Sequence, residues 1–337
     1  MNQRIKITVI IPCKNEAKFI GGCLDSVVKN DYPKDLLEVL VLDGESTDAT
    51  QGIVKAYSAK FNFVRLVINT FQTVPYALNK GIKESTGDYI IRLDAHSEIP
   101  NNYFSTLIHW SKKLNADNIG AVCLTDIKNK NPKTISIAAV LSNKYGVGNS
   151  YFRIGVEKIE EVDHVPFGCF RKEIFNKVGL FNERLNRNQD IELSKRITRC
   201  GGRIFLLPDL FCTYYARETF WGIAKNNFGN GFWNILTVYV TRKINSLSWR
   251  HFIPFFFLLS LIIPFILMTW IPLIEFIAAL SLGSYLLLVL SISWKVTNKT
   301  NSYWFILWTF IVLHFSYGMG SLVGFFRIDY LKKFKDD

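Results

Sequence analysis

Three apolar runs near the C-terminus restrict this chain more than any other feature. Phe252 to Trp270 contains no charged residue, a second run extends from Leu273 to Trp294, and a third from Tyr303 to Phe326. Each approaches or exceeds the roughly 20 residues that a helix needs to cross a bilayer. Trp and Tyr stand near their ends, where interfacial anchors belong. A buried helix hairpin in a water-soluble protein accounts for one such run, but poorly for three in succession. The chain therefore reads as a membrane protein whose first 220 or so residues form an ordinary globular domain.

Charge places the flanks. Lys and Arg number 40 against 28 Asp and Glu, a net charge of +12, which suits an anionic membrane surface, nucleic acid or phosphate-bearing substrates. Arg242, Lys243 and Arg250 precede the first run, and Lys295 and Lys299 follow the second. Both flanks read as cytoplasmic by the positive-inside rule. A third full crossing would put Arg327, Lys332, Lys333 and Lys335 outside, against that rule, and Gly318, Gly320 and Gly324 offer places to break the run. The expectation is two to four crossings. No N-terminal signal segment is expected, because Ile7 to Ile11 is short and Lys14 follows closely. All six cysteines (13, 23, 123, 169, 200 and 212) precede the apolar runs without a Cys-x-x-Cys pair, as reduced structural thiols would.

The globular part alternates strand-like and helix-like segments, the pattern of a parallel α/β sheet. Ile5–Ile11, Glu38–Leu42, Val64–Ile68 and Tyr89–Leu93 read as strands. Helices are expected over 17–30, from a Ser46-Thr47-Asp48 cap to about Ser58, and from Thr73-Pro75 to Glu84. The strands are followed by Lys14-Asn15-Glu16, Asp43-Gly44-Glu45, Asn69 and Asp94-Ala95-His96. Polar groups thus gather at the carboxyl edge, where open α/β sheets bind ligands.

Asp94 and His96, two apart on turning backbone, can converge on a divalent ion, the imidazole favouring Mn²⁺ over Mg²⁺. The spacing equally fits an Asp capping the next turn beside a surface His. Asp190 shares a helix face with Leu193 and Ile197, so its carboxylate points inward as a general base requires. An Asp favoured by the helix dipole would look the same. His109, His164, His251 and His314 are scattered and read as structural. Walker, Gly-x-Gly-x-x-Gly and Gly-x-Ser-x-Gly motifs are missing. Residues 220–240 carry apolar positions at helical spacing with Lys225, Arg242 and Lys243 in or after them, as a helix in the membrane interface would.

Several stretches, in order, resemble family 2 glycosyltransferases of GT-A fold, especially membrane-bound enzymes of succinoglycan type. They are "VIIPCKNEAKFIGGCLDSV", "VLDGESTDAT", "ALNKGIKESTGDYIIRLDAH" and "FGCFRKEIFNKVGLFNERLNRNQDIELSKRI". The resemblance implies a mostly parallel sheet with flanking helices and a nucleotide-sugar site drawing on Pro12, Asn15, Glu16, Asp43, Asn69, Asn79, Asp94 and Arg217. Asp43 is implied to contact the uracil or ribose. Asp94 and His96 are implied to hold Mn²⁺ or Mg²⁺, Asp190 to be the catalytic base, and Phe167, Gly168 and Trp233 to face the acceptor. Asp-Ala-His replaces the family's Asp-x-Asp, Gln189 stands for the usual Glu, and "KNNFGNGFW" only loosely follows the Gln-x-x-Arg-Trp segment of processive synthases.

The implied activity is inverting, metal-dependent transfer from a nucleotide-diphosphate sugar, expected to be a UDP-sugar, to a lipid-linked saccharide or another saccharide acceptor. Exopolysaccharide, capsule or surface-glycan synthesis is the expected setting. Membrane lipids are expected partners, and nucleic acid is not. The location implied is the inner or plasma membrane, multi-pass, with the catalytic domain cytoplasmic. Expected boundaries are 1–219 catalytic, 220–250 interfacial helix and basic linker, 251–327 membrane helices and 328–337 basic tail. A polyprenyl-phosphate glycosyl synthase, a processive synthase and a non-catalytic assembly subunit are the alternatives.

Overall fold

The computed structural model describes residues 4–330; Lys332, Lys333 and Lys335 of the expected tail lie outside them. The chain groups into two compact units. One joins the residues up to Leu124 with Tyr151–Tyr215, and the other joins Thr125–Ser150 with the residues from Ala216 onward.

The first unit is built on nine strands: β1 Ile7–Cys13, β2 Leu37–Asp43, β3 Val64–Ile68, β4 Tyr89–Arg92, β5 Ser97–Glu98, β6 Asn118–Asp126, β7 Glu160–Glu161, β8 Cys169–Arg171 and β9 Ile204–Tyr215. Their order is β3-β2-β1-β4-β8-β6-β9-β5, with β7 also on β9. The four expected strands are all present and mutually parallel. Beyond β4 the pairing turns antiparallel, through β8 with β4 and β6 and through β5 and β7 with β9. The sheet is therefore mixed.

Strand alternation makes two cores. Ile7, Val9 and Ile11 of β1 join Val39 and Val41 of β2 on one face, against helices Ile20–Lys29 and Tyr103–Leu114. Ile10, Leu40 and Leu42 face the other way, against helices Val74–Glu84 and Gln189–Arg199. Strands buried on both faces need apolar residues on both sides, which Val39 to Leu42 of β2 supply between the terminal carboxylates Glu38 and Asp43. Each fully buried Ile, Val or Leu contributes about 1.5–3 kcal/mol.

Two helix starts differ from expectation for the same reason. The helix expected from Ala17 begins at Ile20, and the one expected after Asp48 begins at Thr50. The intervening polar side chains tie the two loops together instead. Asn15 Oδ1 accepts from the Thr47 N–H at 2.8 Å, and Asp48 accepts from Ala17 N at 3.1 Å and Thr50 N at 3.0 Å.

Among the described residues of the second unit three helices are long and apolar enough to cross a membrane: Trp249–Leu267, Glu275–Val296 and Tyr303–Phe325, with mean hydropathy 2.0, 2.1 and 1.5. Helix Pro132–Leu141 is opened by a reciprocal cap between Asn131 and Thr134. Its Ile137 and Val140 pack with Ile306, Phe310 and Leu313 of the third apolar helix. Gly318, Gly320 and Gly324 do not break that helix. They lie at close crossings: a Cβ on Gly320 would stand 2.0 Å from the Phe228 carbonyl oxygen, and one on Gly324 2.8 Å from that of Phe232. Helix Phe220–Thr241 runs against Gly320 and Gly324, while Gly318 faces the Pro254 carbonyl of the first apolar helix, so small residues there let backbones meet.

Candidate active site

The chain leaves β1 for β2 and β3 on one side and returns to β4 on the other, so the loops after β1 and β4 part at the carboxyl edge. A cleft of about 250 Å³ lies there, lined by Pro12, Glu16, Asn69, Arg92, Asp94 and His96 among others. Cys13 also lines it, but burial, with Asp43 and Glu16 close by, pushes its thiol up to about 12. It is no nucleophile at neutral pH.

Asp94 follows β4 directly. Its carbonyl accepts from the Ser97 N–H at 3.1 Å and hydroxyl at 2.6 Å, which closes the turn that brings His96 back. The imidazole is caged by the rings of Phe19 and Tyr214. His96 Nδ1 lies 3.2 Å from Glu16 Oε1, and Nε2 lies 4.0 Å from Asp94 Oδ2. With Nδ1–H donated to Glu16, the Nε2 lone pair is left on the Asp94 side, the arrangement by which second-shell carboxylates orient metal-binding histidines. Two donors sharing one ion at about 2.1 Å each stand roughly 3–4 Å apart, so the pair fits a divalent cation. No cluster of three or more His, Cys, Asp or Glu that could hold a metal occurs among the described residues. The pair would therefore supply part of a coordination shell, as in sites completed by water and substrate phosphates.

Asp190 sits in the first turn of helix Gln189–Arg199, on the inward face with buried Leu193 and Ile197 as its spacing required. Glu192 is buried too, paired with Arg196 at 2.8 Å. Asp190 Oδ1 accepts from the Ile191 N–H at 2.9 Å. Oδ2 faces Arg92 Nη1 at 3.3 Å and His164 Nε2 at 3.6 Å. Burial alone would raise the Asp190 pKa. His164 first, then Arg92 and the Ile191 N–H, outweigh it and hold the carboxyl below its ordinary value.

Sequence reasoning missed Arg92 and read His164 as structural. Arg92 Nη2 donates to Asp94 Oδ1 at 2.8 Å, so one guanidinium joins Asp94 to Asp190. The signal was a charged residue inside the apolar strand "YIIRL", which demands a buried partner.

Other expected residues take supporting places. Asp43 is fully buried, and its carboxylate accepts from Ser46 N at 2.9 Å and Gln51 Nε2 at 3.1 Å, so it shapes the turn beneath the cleft rather than lining it. Asn15, in left-handed conformation (φ 55°), bridges the two loops. Asn79 does not reach the cleft. Its amide donates to the Phe181 carbonyl at 2.9 Å and accepts from Phe181 N at 2.9 Å, clamping helix Val74–Glu84 to the loop before Asp190. Phe167 is buried beneath the Arg92 guanidinium, 5.9 Å from its ring centroid. The Gly168 carbonyl accepts from Arg92 N at 3.1 Å. Arg217 and Trp233 belong to the other unit, where Arg217 flanks Gly222 and Trp233 contacts the rings of Phe232 and Tyr330.

Residues 8–179 match Glycosyl transferase family 2. The dolichyl N-acetyl-alpha-D-glucosaminyl phosphate 3-beta-D-2,3-diacetamido-2,3-dideoxy-beta-D-glucuronosyltransferase of Methanococcus voltae is 29% identical over 230 residues, 67% of this chain and 71% of that protein. Succinoglycan biosynthesis protein ExoA of Rhizobium meliloti (strain 1021) is 28% identical over 225 residues, 66% and 67% of the two chains. In structure, the mannosyltransferase PcManGT from Pyrobaculum calidifontis, solved with GDP-Man and Mn²⁺, gives a TM-score of 0.59 at 19% identity, covering 93% of this chain and 86% of its own. The mixed sheet with its carboxyl-edge cleft is thus of GT-A type, and the chain belongs to glycosyl transferase family 2.

Proposed function

We propose that this transferase moves a sugar, with inversion, from a nucleotide-diphosphate donor, a UDP-sugar by preference, to a lipid-linked saccharide during exopolysaccharide, capsule or surface-glycan assembly. The observation that carries the reading is the pairing of Asp94, at the cleft, with Asp190, on the neighbouring helix, through one buried arginine. Donor-side and acceptor-side carboxylates are thereby held next to each other.

In this reading the donor lies along Pro12, Glu16 and Asn69, while Asn15 and Asp43 keep the two loops beneath it in place. Asp94 and His96 would hold Mn²⁺ or Mg²⁺, which when bound supplies stabilisation for charge developing on the nucleoside diphosphate. Asp190 accepts the proton of an acceptor hydroxyl. The acceptor oxygen forms its bond to the anomeric carbon as the bond from that carbon to the phosphate oxygen breaks, its electron pair leaving with the diphosphate. A single displacement of this kind inverts the centre. A lipid-linked acceptor agrees with the apolar helices and with the dolichyl-linked substrate in the name of the Methanococcus relative. The first two apolar helices then cross the cell membrane, with Arg242, Lys243, Arg250, Lys295 and Lys299 and the sheet unit on the cytoplasmic side.

Nucleoside diphosphate release from a panel of donors, with and without Mn²⁺ and with lipid-linked acceptors, tests the activity. Asp190→Asn should lower kcat by about 10²–10⁴-fold, the usual share of general-base help, and leave donor affinity unchanged. Retention of most turnover would sink the assignment.

A further inference from the structure

Arg92 is buried and placed between two acids that the reaction uses separately. Its Nη2 lies 2.8 Å from Asp94 Oδ1 and its Nη1 3.3 Å from Asp190 Oδ2. Its Nε–H is buried without a hydrogen-bond partner among the described residues. The shorter contact goes to Asp94, the longer one to Asp190, and a donor is left over. A guanidinium fully committed to one carboxylate binds it through two parallel N–H groups, and neither acid receives that here.

The neighbouring groups make this arrangement dependent on charge. Asp94 presents Oδ1 to Arg92 and Oδ2 toward His96. A divalent ion held by Asp94 and His96 would compete for the Asp94 charge and repel the guanidinium beside it. The groups facing Arg92 otherwise are the Phe167 ring and Asp190, with His164 on the far side of the same Asp190 oxygen. Asp190 is the only other carboxylate the structure pairs with Arg92 among the described residues.

We propose that Arg92 is a positioning residue that exchanges carboxylates: it holds Asp94 until a divalent cation loads there, and then gives its hydrogen bonds to Asp190. The exchange rests on the reading of Asp94 as the cation-holding carboxylate and Asp190 as the proton acceptor. It makes the orientation of the base depend on loading of the donor side, so the acceptor hydroxyl meets a fully held carboxylate only when the cation is in place. The cation in turn works against Arg92 as it binds.

The test uses full-length protein in detergent, with Mn²⁺ binding followed by EPR of the free ion in the absence of nucleotide, and with kcat measured at saturating Mn²⁺. Arg92→Met should bind Mn²⁺ about tenfold more tightly, a modest part of what one unit charge beside a dication supplies in a partly screened site, while kcat falls. Arg92→Lys keeps the charge but lacks the planar fork that reaches two carboxylates. It should return Mn²⁺ affinity to near wild type and leave kcat low. A residue that merely supported the fold would weaken metal binding and turnover together, and that result overturns the exchange. So does an Arg92→Met protein with unchanged Mn²⁺ affinity, or full recovery of kcat by Arg92→Lys. Asp94→Asn separates the layers. If it binds Mn²⁺ as wild type does, the cation reading fails and the exchange with it; if Asp94→Asn loses binding while Arg92→Met leaves it unaltered, only the exchange fails.

Discussion

His164 Nδ1 lies 3.0 Å from the Ser194 hydroxyl, and its Nε2 faces Asp190. This buried imidazole is the largest influence holding the Asp190 carboxyl low. A base must be unprotonated to accept a proton, so activity is lost as pH falls through the Asp190 pKa of the folded enzyme. That pKa is depressed, so the loss in wild type should fall below the pH range in which an ordinary aspartate protonates. The same depression adds stability above the unfolded-state pKa, and this is lost as acid protonates the folded carboxyl. Replacing His164 by Gln removes the largest depressing influence, and the acid limb of kcat should move to higher pH. Superimposable acid limbs for the two proteins would show that His164 does not act on Asp190. The partnership was hidden in the sequence because the two residues are 26 positions apart on different elements. Asp94, His96 and Asp190 were visible because each stands at a strand or helix end, where local pattern is strongest. Arg92 was half visible: its burial could be read from the strand, but its second partner, 98 residues on, could not.

At the level of elements, legibility followed regular periodicity. The strands β1 to β4 are apolar runs of four to seven residues with turn residues behind them, and all four appear where expected. The two-residue strands Ser97–Glu98 and Glu160–Glu161 carry no period, and β9 contains Pro208 in its middle, so the antiparallel half could not be read. The glycines of the third apolar helix were misread because a glycine that breaks a helix and one that admits a neighbour look alike in sequence. Their surroundings distinguish them. A Cβ at Gly320 would collide with the Phe228 carbonyl at 2.0 Å, whereas one at Gly283, on the second apolar helix, meets nothing within 4 Å. Gly320→Ala should therefore destabilise the helix pair by about 1–3 kcal/mol, the range for overpacking. Gly283→Ala should be neutral or gain up to about 1 kcal/mol of helix propensity. Thermal unfolding in detergent measures both, and equal midpoints for the two variants would contradict the close crossing.

For the molecule as a whole, two forces would attach the chain to the membrane we propose for it, and they differ in their response to salt. One is the net charge of +12, which draws the chain to anionic lipid. The other is apolar surface: Leu280, Leu287 and Trp294 of the second apolar helix are 74%, 69% and 78% exposed. Exposure in water forfeits about 1.5–3 kcal/mol for each large apolar side chain that a hydrocarbon surrounding would bury. The list of such residues on the three apolar helices is long, including Phe256, Phe265, Ile266, Phe276 and Trp304, so the apolar term exceeds anything surface charge supplies. At about 1 M salt the Debye length shrinks to roughly 3 Å and charge attraction is largely screened, while burial of apolar surface is undiminished. The chain should therefore remain in the membrane fraction through a high-salt wash and an alkaline carbonate wash, and enter solution only with detergent. Release of the full chain by salt alone would mean that charge, not the three helices, holds it there.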